Sequence, residues 1–212
     1  MTDQTLTHLY FLLDRSGSMQ SIKADTEGGF AAFIEEQQQA PGRCRATLAQ
    51  FDQHYDEVYR DLDVADVPPL VLQPRGSTAL LDSIGRLVTD AGARLAELPD
   101  AERPGTVIVA IMTDGMENAS REWSHPAVKA LIEQQTGQYG WQFMYMGADQ
   151  DAIEVGTSLG VSADHSLTYG RGRSREALRL KGEKVRAMRA SRMTDAGAPM
   201  PAYTAQERRD VE

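Results

Sequence analysis

A short segment rich in oxygen ligands follows the first apolar run of the chain. The residues FLLDRSGSM, 11–19, place a carboxylate and two hydroxyls at alternate positions, as Asp14, Ser16 and Ser18. A tight loop can turn three such oxygens toward one point, with Gly17 allowing the sharp path of the backbone. Carboxylate and hydroxyl oxygens are hard ligands that suit Mg²⁺ or Mn²⁺. The segment therefore favours a divalent-metal site.

A second carboxylate, Asp114, closes the most hydrophobic run of the chain, TVIVAIMTD at 106–114. Such a run predicts a central strand buried on both faces. In doubly wound folds, ligands bind at the carboxyl edge of the sheet, where strand order reverses. We therefore expect Asp14 and Asp114 to lie at one edge, where two charges balance a divalent ion and leave it attractive to one further carboxylate.

Three other chemistries place an acid or a serine at the end of a strand. A phosphate-binding loop needs a glycine-rich run followed by Lys-Ser/Thr, which this sequence lacks. A nucleophile elbow needs G-x-S-x-G, which the segment around Ser16 does not match. An aspartyl-phosphate phosphatase needs a second acid two residues after Asp14, and Ser16 occupies that position. This phosphohydrolase remains the enzymatic alternative.

The elements that must position these side chains alternate along the chain. Apolar runs predict strands at 8–13, 106–114, 141–146 and 165–169, and a hairpin within 44–62 that turns at Asp52-Gln53. Helical spacing predicts helices over 22–39, 80–98, 127–135 and 149–159. This order predicts an α/β fold with a doubly wound, mostly parallel sheet of about six strands, one antiparallel edge strand and helices on both faces.

Composition bounds the class of protein. With 212 residues, 41% of them hydrophobic, the chain is expected to form one globular domain with a tail. A single cysteine, Cys44, excludes an intramolecular disulfide and a cysteine-based zinc cluster. The apolar runs are too short to span a membrane, and the first residues do not match a signal peptide. We therefore expect a soluble, cytoplasmic protein.

Charge is unevenly distributed. The total is 22 − 31 = −9, whereas residues 171–192 hold nine Lys or Arg against two Glu, a local +7. The acidic remainder argues against general nucleic-acid binding, although the basic segment keeps a nucleic-acid-associated role as an alternative. We predict a domain over 1–170, a basic helix over 171–192 and a flexible tail over 193–212, which is rich in small and polar residues and proline.

Three segments together resemble a known family. LLDRSGSM at 12–19, GSTAL at 76–80 and IMTDG at 111–115 are similar to the three pieces of the metal-ion-dependent adhesion site (MIDAS) of von Willebrand factor type A (vWA) domains. The resemblance covers about residues 5–165 and is to the bacterial or phage intracellular type of vWA domain. It implies a non-catalytic protein-binding module in which a partner Asp or Glu completes the coordination of Mg²⁺. The metal ligands it implies are Asp14, Ser16, Ser18, Thr78 and Asp114.

The surroundings of this site are expected to form a partner-binding rim. Its predicted members are Arg15, Met19, Ser77, Met116, Glu117, Asn118 and Asp149. We expect Arg15 to point to solvent, where it could pair with a partner acid. Two alternatives stay open: Asp149 and Asp151 could cap the following helix, and residues 117–120 could form a plain polar loop. The four histidines have no ligand spacing and are interpreted as structural.

Overall fold

The computed structural model describes residues 2–149 and 151–212, which alternate between strands and helices. The strands are β1 (Asp3–Asp14), β2 (Arg43–Phe51), β3 (Tyr55–Asp63), β4 (Pro104–Thr113), β5 (Gln142–Ala148) and β6 (Ser166–Tyr169). The helices are α1 (Lys23–Gln39), α2 (Leu80–Glu97), α3 (His125–Tyr139), α4 (Ala152–Ser158), α5 (Ser174–Arg192) and α6 (Ala205–Val211). In these two ranges no helix combines the length and the apolar character needed to cross a bilayer.

The six strands form one sheet in the order β3-β2-β1-β4-β5-β6. All neighbours run parallel except β2 and β3, which form the antiparallel hairpin at one edge. The chain moves from β1 outward to β2 in one direction and later from β4 outward in the other. The switch point lies between β1 and β4, so the crevice at their carboxyl ends is where this architecture binds ligands. The predicted fold class is confirmed.

The central strands are apolar on both faces because helices cover both sides of the sheet. Along β1, Leu9, Phe11 and Leu13 belong to the core cluster on one face, and Tyr10 and Leu12 to the cluster on the other. Helices α1, α5 and α6 contribute to the first cluster, and α2 and α3 to the second. Burial on two faces explains why β1 lacks polar alternation in sequence.

Glycines in α1 and α5 allow these two helices to approach each other closely. A Cβ atom on Gly29 would lie 2.9 Å from the Cα of Arg175 and 2.9 Å from a side-chain carbon of Leu178, both in α5. On the other helix, a Cβ on Gly182 would lie 3.2 Å from the Cα of Phe33. Helix α5, which forms most of the predicted basic helix over 171–192, therefore packs directly on α1.

Residues 193–212 differ from the flexible tail that their composition predicts. Met200, Tyr203 and Val211 are buried in the core cluster shared with α1 and α5. Thr204 caps α6 through a reciprocal pair of hydrogen bonds with Glu207. This segment also covers the β6 side of the sheet. A few buried apolar residues hold this mostly polar segment against the core. The average composition of the segment does not reveal them.

The basic residues of 171–192 are largely engaged within the chain. Eight of the nine have a polar partner. Ion pairs link Arg171 to Asp149, Arg173 to Glu176, Arg179 to Glu183, Lys184 to Glu207 and Arg186 to Glu36. The buried Arg189 donates to the carbonyl oxygens of Gln37, at 2.8 Å, and Gly42, at 3.1 Å, at the end of α1. Much of the charge of this segment is therefore used in ion pairs and hydrogen bonds within the protein.

Lys181 is the most deeply buried of these residues, with 1% of its surface exposed. Its Nζ lies under the sheet, 3.4 Å from the carbonyl oxygen of Ile111 in β4. Burial lowers the pKa of Lys181 to about 7 from its usual 10.5. The folded protein therefore binds fewer protons than the unfolded chain between these two pKa values, and this lysine opposes folding most at neutral and acidic pH.

Replacing Lys181 with methionine, which is of similar length and uncharged, is expected to stabilise the protein at pH 7. The advantage should shrink by about 1.4 kcal/mol per pH unit toward pH 9, because the unfolded lysine keeps its proton in this range while the folded lysine loses it, so wild-type stability rises with pH. Urea unfolding at several pH values measures this. The half-exposed Lys129 gives the control Lys129→Met. An advantage that stays constant with pH would contradict the lowered pKa.

Candidate functional site

The first predicted loop begins where β1 ends. The Asp14 side chain is completely buried, and both of its oxygens are engaged: Oδ1 accepts a hydrogen bond from the Ser16 backbone N–H at 2.6 Å, and Oδ2 accepts one from the Thr113 hydroxyl at 2.5 Å. Thr113 is the last residue of β4, so this bond crosses the switch point of the sheet. Asp14 is thereby fixed in orientation by a neighbour in its own loop and by the adjacent strand.

The two serines connect the first loop to the second carboxylate. Ser16 Oγ and Ser18 Oγ lie 3.0 Å apart, and the Ser18 hydroxyl donates to Asp114 Oδ1 at 2.6 Å. Ser16 is buried, whereas Ser18 is exposed, so the crevice opens to solvent at Ser18. Gly17 does not have a positive φ, and a Cβ atom there would make only one ordinary contact, at 3.5 Å. The path of the loop therefore does not require a glycine at 17, contrary to the sequence interpretation.

The second loop brings Thr78 to the same place. A Cβ atom on Gly115 would lie 2.7 Å from Thr78 Oγ1 and 3.5 Å from both Asp14 Oδ2 and Ser16 Oγ. Three predicted ligand oxygens thus surround one small space, which is open only because residue 115 has no side chain. The structure brings together all five residues that the sequence predicts as metal ligands.

A pair of hydrogen bonds holds the Thr78 backbone. Its N–H donates to Asn118 Oδ1 at 2.9 Å, and the Asn118 N–H donates to the Thr78 carbonyl oxygen at 3.0 Å. Glu117 accepts from the N–H of Leu81 in the first turn of α2 and from the N–H groups of Ala119 and Ser120. The loop after β4 is therefore built onto the start of α2, which fixes the second and third loops relative to each other.

The electrostatics of the crevice suit a hard cation. Burial raises the pKa of Asp14 to about 6, against the lowering effect of its hydrogen bonds. Burial also raises the pKa of Asp114, although the Ser18 hydrogen bond and the charge of Arg171 act in the opposite direction. Asp114 Oδ2 is buried and accepts no hydrogen bond from residues 2–149 or 151–212. Two carboxylates, one of which has an oxygen without a hydrogen bond, and three hydroxyls fit Mg²⁺ or Mn²⁺.

Two residues of the predicted rim lie inside the protein instead. Arg15 is buried, and its guanidinium pairs with Asp52, at 3.1 Å, and with Asp56 in the β2–β3 hairpin, so the prediction that it points to solvent is wrong. Met19 is completely buried in the core cluster beside Ile22. The loop after β1 turns back onto the sheet, where the Arg15 N–H donates to the Phe51 carbonyl oxygen at 2.7 Å, so only Gly17 and Ser18 of residues 14–19 are exposed.

The other rim residues surround the opening. Met116, two residues after Asp114, is 79% exposed, and Asn118 is also exposed. Ser77 is partly exposed and donates to Gln53 Oε1 at 3.2 Å. Glu117 is committed to the backbone of its own loop and α2, as described above, which favours the polar-loop interpretation for that residue.

Asp149 and Asp151 have different roles. Asp151 caps α4 by accepting from the Glu154 N–H at 2.9 Å, as the capping interpretation predicts. Asp149 has a positive φ of 48° and binds Arg171, whose Nε donates to Asp149 Oδ2 at 2.7 Å. The guanidinium of Arg171 also lies 3.7 Å from Asp114 Oδ2.

The sequence interpretation missed two side chains of the site. Thr113 is a polar residue at the end of an otherwise apolar strand, directly before Asp114, and this position was a usable signal. Arg171 gave no local signal, because its contacts with Asp114 and Asp149 join segments distant in sequence. Among the residues at 2–149 and 151–212, no group of three or more His, Cys, Asp or Glu is placed to hold a metal ion. Hydroxyls supply the remaining oxygens here.

The sequence matches no protein-family profile, and a search of curated proteins gives no match. Solved structures do match. Proximal thread matrix protein 1 from the mussel byssus aligns with a TM-score of 0.59 at 17% identity, over 83% of this chain and 46% of that one. A von Willebrand factor type A structure from Catenulispora acidiphila aligns with a TM-score of 0.56 at 17% identity, over 84% and 42%. The von Willebrand factor domain of the type V pili tip protein Mfa5 from Porphyromonas gingivalis aligns with a TM-score of 0.58 at 12% identity, over 93% and 98%.

These likenesses establish that the chain has the fold of vWA domains. The chain spans less than half the length of the mussel and Catenulispora chains that it matches. A further structure of the mussel protein, 16% identical, has a zinc-occupied MIDAS motif. That the chain resembles the bacterial or phage intracellular type of vWA domain remains a prediction.

Replacing Asp14 with asparagine should stabilise the protein in metal-free buffer at neutral pH by about 3 kcal/mol, since an uncharged amide avoids the burial of an anion. Because its pKa rises from 3.8 to about 6 on folding, wild-type stability falls as pH rises through that window. The gap between Asp14→Asn and wild type should therefore widen from pH 4 to pH 6 and then stay constant. Thermal or urea unfolding with EDTA measures it.

Asp52→Asn is the matched control with the opposite expected sign. Burial acts to raise the pKa of Asp52, but hydrogen bonds from Arg75 and His54 and the charge of Arg15 lower it overall. Loss of this carboxylate should therefore destabilise the protein at neutral pH. An Asp14→Asn variant less stable than wild type without metal would contradict the analysis of the crevice.

Proposed function

We propose that this chain is a non-catalytic, metal-dependent protein-binding module. Asp14, Ser16, Ser18, Thr78 and Asp114 would hold a divalent ion, Mg²⁺ or alternatively Mn²⁺, and a partner Asp or Glu would complete its coordination. The observation that carries this proposal is the convergence of these side chains beside Gly115, with Asp114 Oδ2 left without a hydrogen bond. The zinc in the MIDAS motif of the mussel protein supports a divalent ion in this fold.

The charge balance of the ligand set supports a partner carboxylate. Asp14 and Asp114 supply two negative charges, and the serine and threonine hydroxyls supply none. An ion held in this way keeps its attraction for one more anion, since its charge is only just balanced. The bound ion would supply a Lewis-acidic position for a carboxylate oxygen. The protein would contribute the fixed ligand positions, through Thr113 at Asp14 and Asn118 at Thr78.

The surface around the opening is suited to a protein partner. Met116 is exposed two residues after Asp114, and the exposed Asn118 and Ser18 offer polar groups in the loops of the site. Methionine adapts its shape to different apolar surfaces, so it is a common contact residue. A partner would present an acid to the ion and an apolar side chain to Met116. A cytoplasmic location, and the absence of any membrane role, remain predictions of the same proposal.

The phosphohydrolase alternative receives less support. A nucleophilic carboxylate needs an oxygen that can attack the phosphorus atom. The reaction also needs a second acid two residues after the nucleophile, and Ser16 occupies that position. Release of phosphate from a generic phosphate ester that is lost in Asp14→Asn would favour the enzyme.

The nucleic-acid alternative depends on the basic segment 171–192. Eight of its nine basic residues already have a polar partner in the chain, and Lys181 and Arg189 are buried. The two buried cations are out of reach of phosphates, and most of the others would have to exchange a partner in the chain for a phosphate. Binding of a generic DNA or RNA that weakens steeply with salt and survives EDTA would favour this alternative.

The first test of the proposed function is calorimetric titration of Mg²⁺ and Mn²⁺ into wild type, Gly115→Ala and Gly17→Ala. Alanine at 115 adds a methyl group 2.7 Å from Thr78 Oγ1, between three ligand oxygens, and is expected to weaken ion binding at least tenfold, or about 1.4 kcal/mol. Gly17→Ala changes the same kind of residue in the first loop, where the added methyl has room. It should bind the ion like wild type.

Two outcomes would contradict the proposal. Absence of saturable binding in wild type would reject the metal centre. Equal binding in Gly115→Ala and wild type would reject the position of the ion.

For the partner, immobilised wild type should capture a protein in Mg²⁺ that EDTA releases and that Asp14→Asn does not capture. Capture that persists in EDTA would show that the ion is not required.

A further inference from the structure

The guanidinium of Arg171 stands beside the carboxylates of the metal centre. Its Nη2 lies 3.7 Å from Asp114 Oδ2, the buried oxygen that accepts no hydrogen bond. At that distance the two groups attract through charge without a hydrogen bond. Arg171 belongs to the short turn before α5, outside the three loops that supply the predicted ligands. Its positive charge is therefore an addition to the ligand set.

Several contacts hold Arg171 in this place. Its Nε donates to Asp149 Oδ2 at 2.7 Å, its backbone N–H donates to Asp149 Oδ1 at 3.3 Å, and its Nη1 donates to Ser21 Oγ at 3.3 Å. The Asp149 N–H in turn donates to the Tyr169 carbonyl oxygen at 3.0 Å, so the pair bridges the ends of β5 and β6. The side chain is nevertheless 43% exposed, so it is reachable from solvent.

We propose that Arg171 is a specificity-determining residue that makes the metal centre prefer an ion accompanied by a carboxylate over a bare ion. This inference rests on the proposed function. Arg171 disfavours a bare divalent cation, because its charge repels the ion and because it already balances part of the Asp114 charge. It favours the incoming carboxylate, because it offers a second, positively charged contact next to the ion.

The chemistry of a guanidinium explains why Arg171 would have opposite effects on a bare cation and on a carboxylate. A carboxylate that gives one oxygen to a metal ion keeps a second oxygen as a hydrogen-bond acceptor. A guanidinium donates through a planar fork that matches this acceptor, and such charge-assisted bonds are stronger than neutral ones. Asp149 neutralises Arg171 only in part, since it occupies Nε and leaves the terminal nitrogens with the weaker contacts at 3.3 and 3.7 Å. The ligand class expected at the loaded centre is therefore an aspartate or glutamate side chain of a protein.

Arg173 provides a matched control two residues away. It carries the same charge in the same turn, is about half exposed, and has an ion pair with Glu176 at 3.8 Å. Removal of its charge changes the net charge of the protein by the same amount as removal at Arg171. A difference between the two variants therefore reports the position of Arg171 and not the overall charge.

The experiment measures Mn²⁺ affinity by calorimetry for wild type, Arg171→Gln, Arg171→Lys and Arg173→Gln. Each titration is run in sodium chloride and in sodium acetate of equal ionic strength, with a protein-free titration to correct for complexes of the free ion with acetate. Acetate is the probe for the partner carboxylate. Thermal unfolding of each metal-free variant checks that the fold is kept.

In chloride, Arg171→Gln should bind Mn²⁺ about five- to tenfold more tightly than wild type, because the repulsion is removed. Acetate should raise the Mn²⁺ affinity of wild type, and this gain should be lost in Arg171→Gln. Arg171→Lys keeps the charge without the planar fork, so it should bind Mn²⁺ like wild type in chloride and show a reduced gain in acetate. Arg173→Gln should resemble wild type in both salts.

Four results would overturn the inference. Equal Mn²⁺ affinities of wild type and Arg171→Gln, weaker binding by Arg171→Gln, an undiminished acetate gain in Arg171→Gln, or the same shift in Arg173→Gln would each do so while leaving the metal centre intact. Absence of saturable Mn²⁺ binding in wild type would instead reject the metal centre and this inference together. The two failures are therefore distinguishable.

Discussion

Two carboxylates meet at the switch point of the sheet, and the surrounding structure is arranged around the cost of placing them there. Asp14 ends β1 and Asp114 follows β4, the two adjacent strands from which the chain winds outward in opposite directions. Burial raises the pKa of both groups, so each anion is disfavoured in the folded protein without a cation. The neighbouring donors, two hydroxyls and a backbone N–H, reduce this cost but do not remove it.

The supporting contacts make the site rigid. Thr113 ties Asp14 to β4, Asn118 ties the second loop to the third, and Glu117 ties the third loop to the first turn of α2. Beneath the first loop, Arg15 pairs with Asp52 in the β2–β3 hairpin. These bonds position the ligand oxygens before any ion arrives, which lowers the reorganisation that binding requires. The antiparallel hairpin therefore supports the site although none of its residues is among the predicted ligands.

Much of this arrangement could be predicted from sequence, because the decisive signals are local. Apolar runs between helical patterns gave the parallel sheet and its antiparallel edge, and acids at strand ends gave the two carboxylates. Thr78 depended on the resemblance of the GSTAL segment to a known motif, since a threonine before a helix is also an ordinary cap. The inward orientation of Arg15 and Met19 could not be predicted, because it depends on how the loop folds back over β2 and α1.

The C-terminal segment shows why a count of charges along the chain is a poor guide to the surface. Residues 171–192 carry a local charge of +7, yet Lys181 lies under the sheet and Arg189 caps the end of α1. Each of these cations donates a hydrogen bond to a backbone carbonyl oxygen inside the fold, and burial lowers the pKa of both. Arg171 differs because its guanidinium remains part-exposed at the mouth of the metal centre. Its position relative to the two carboxylates, and not its membership of a basic segment, is the reason for the binding role proposed for Arg171.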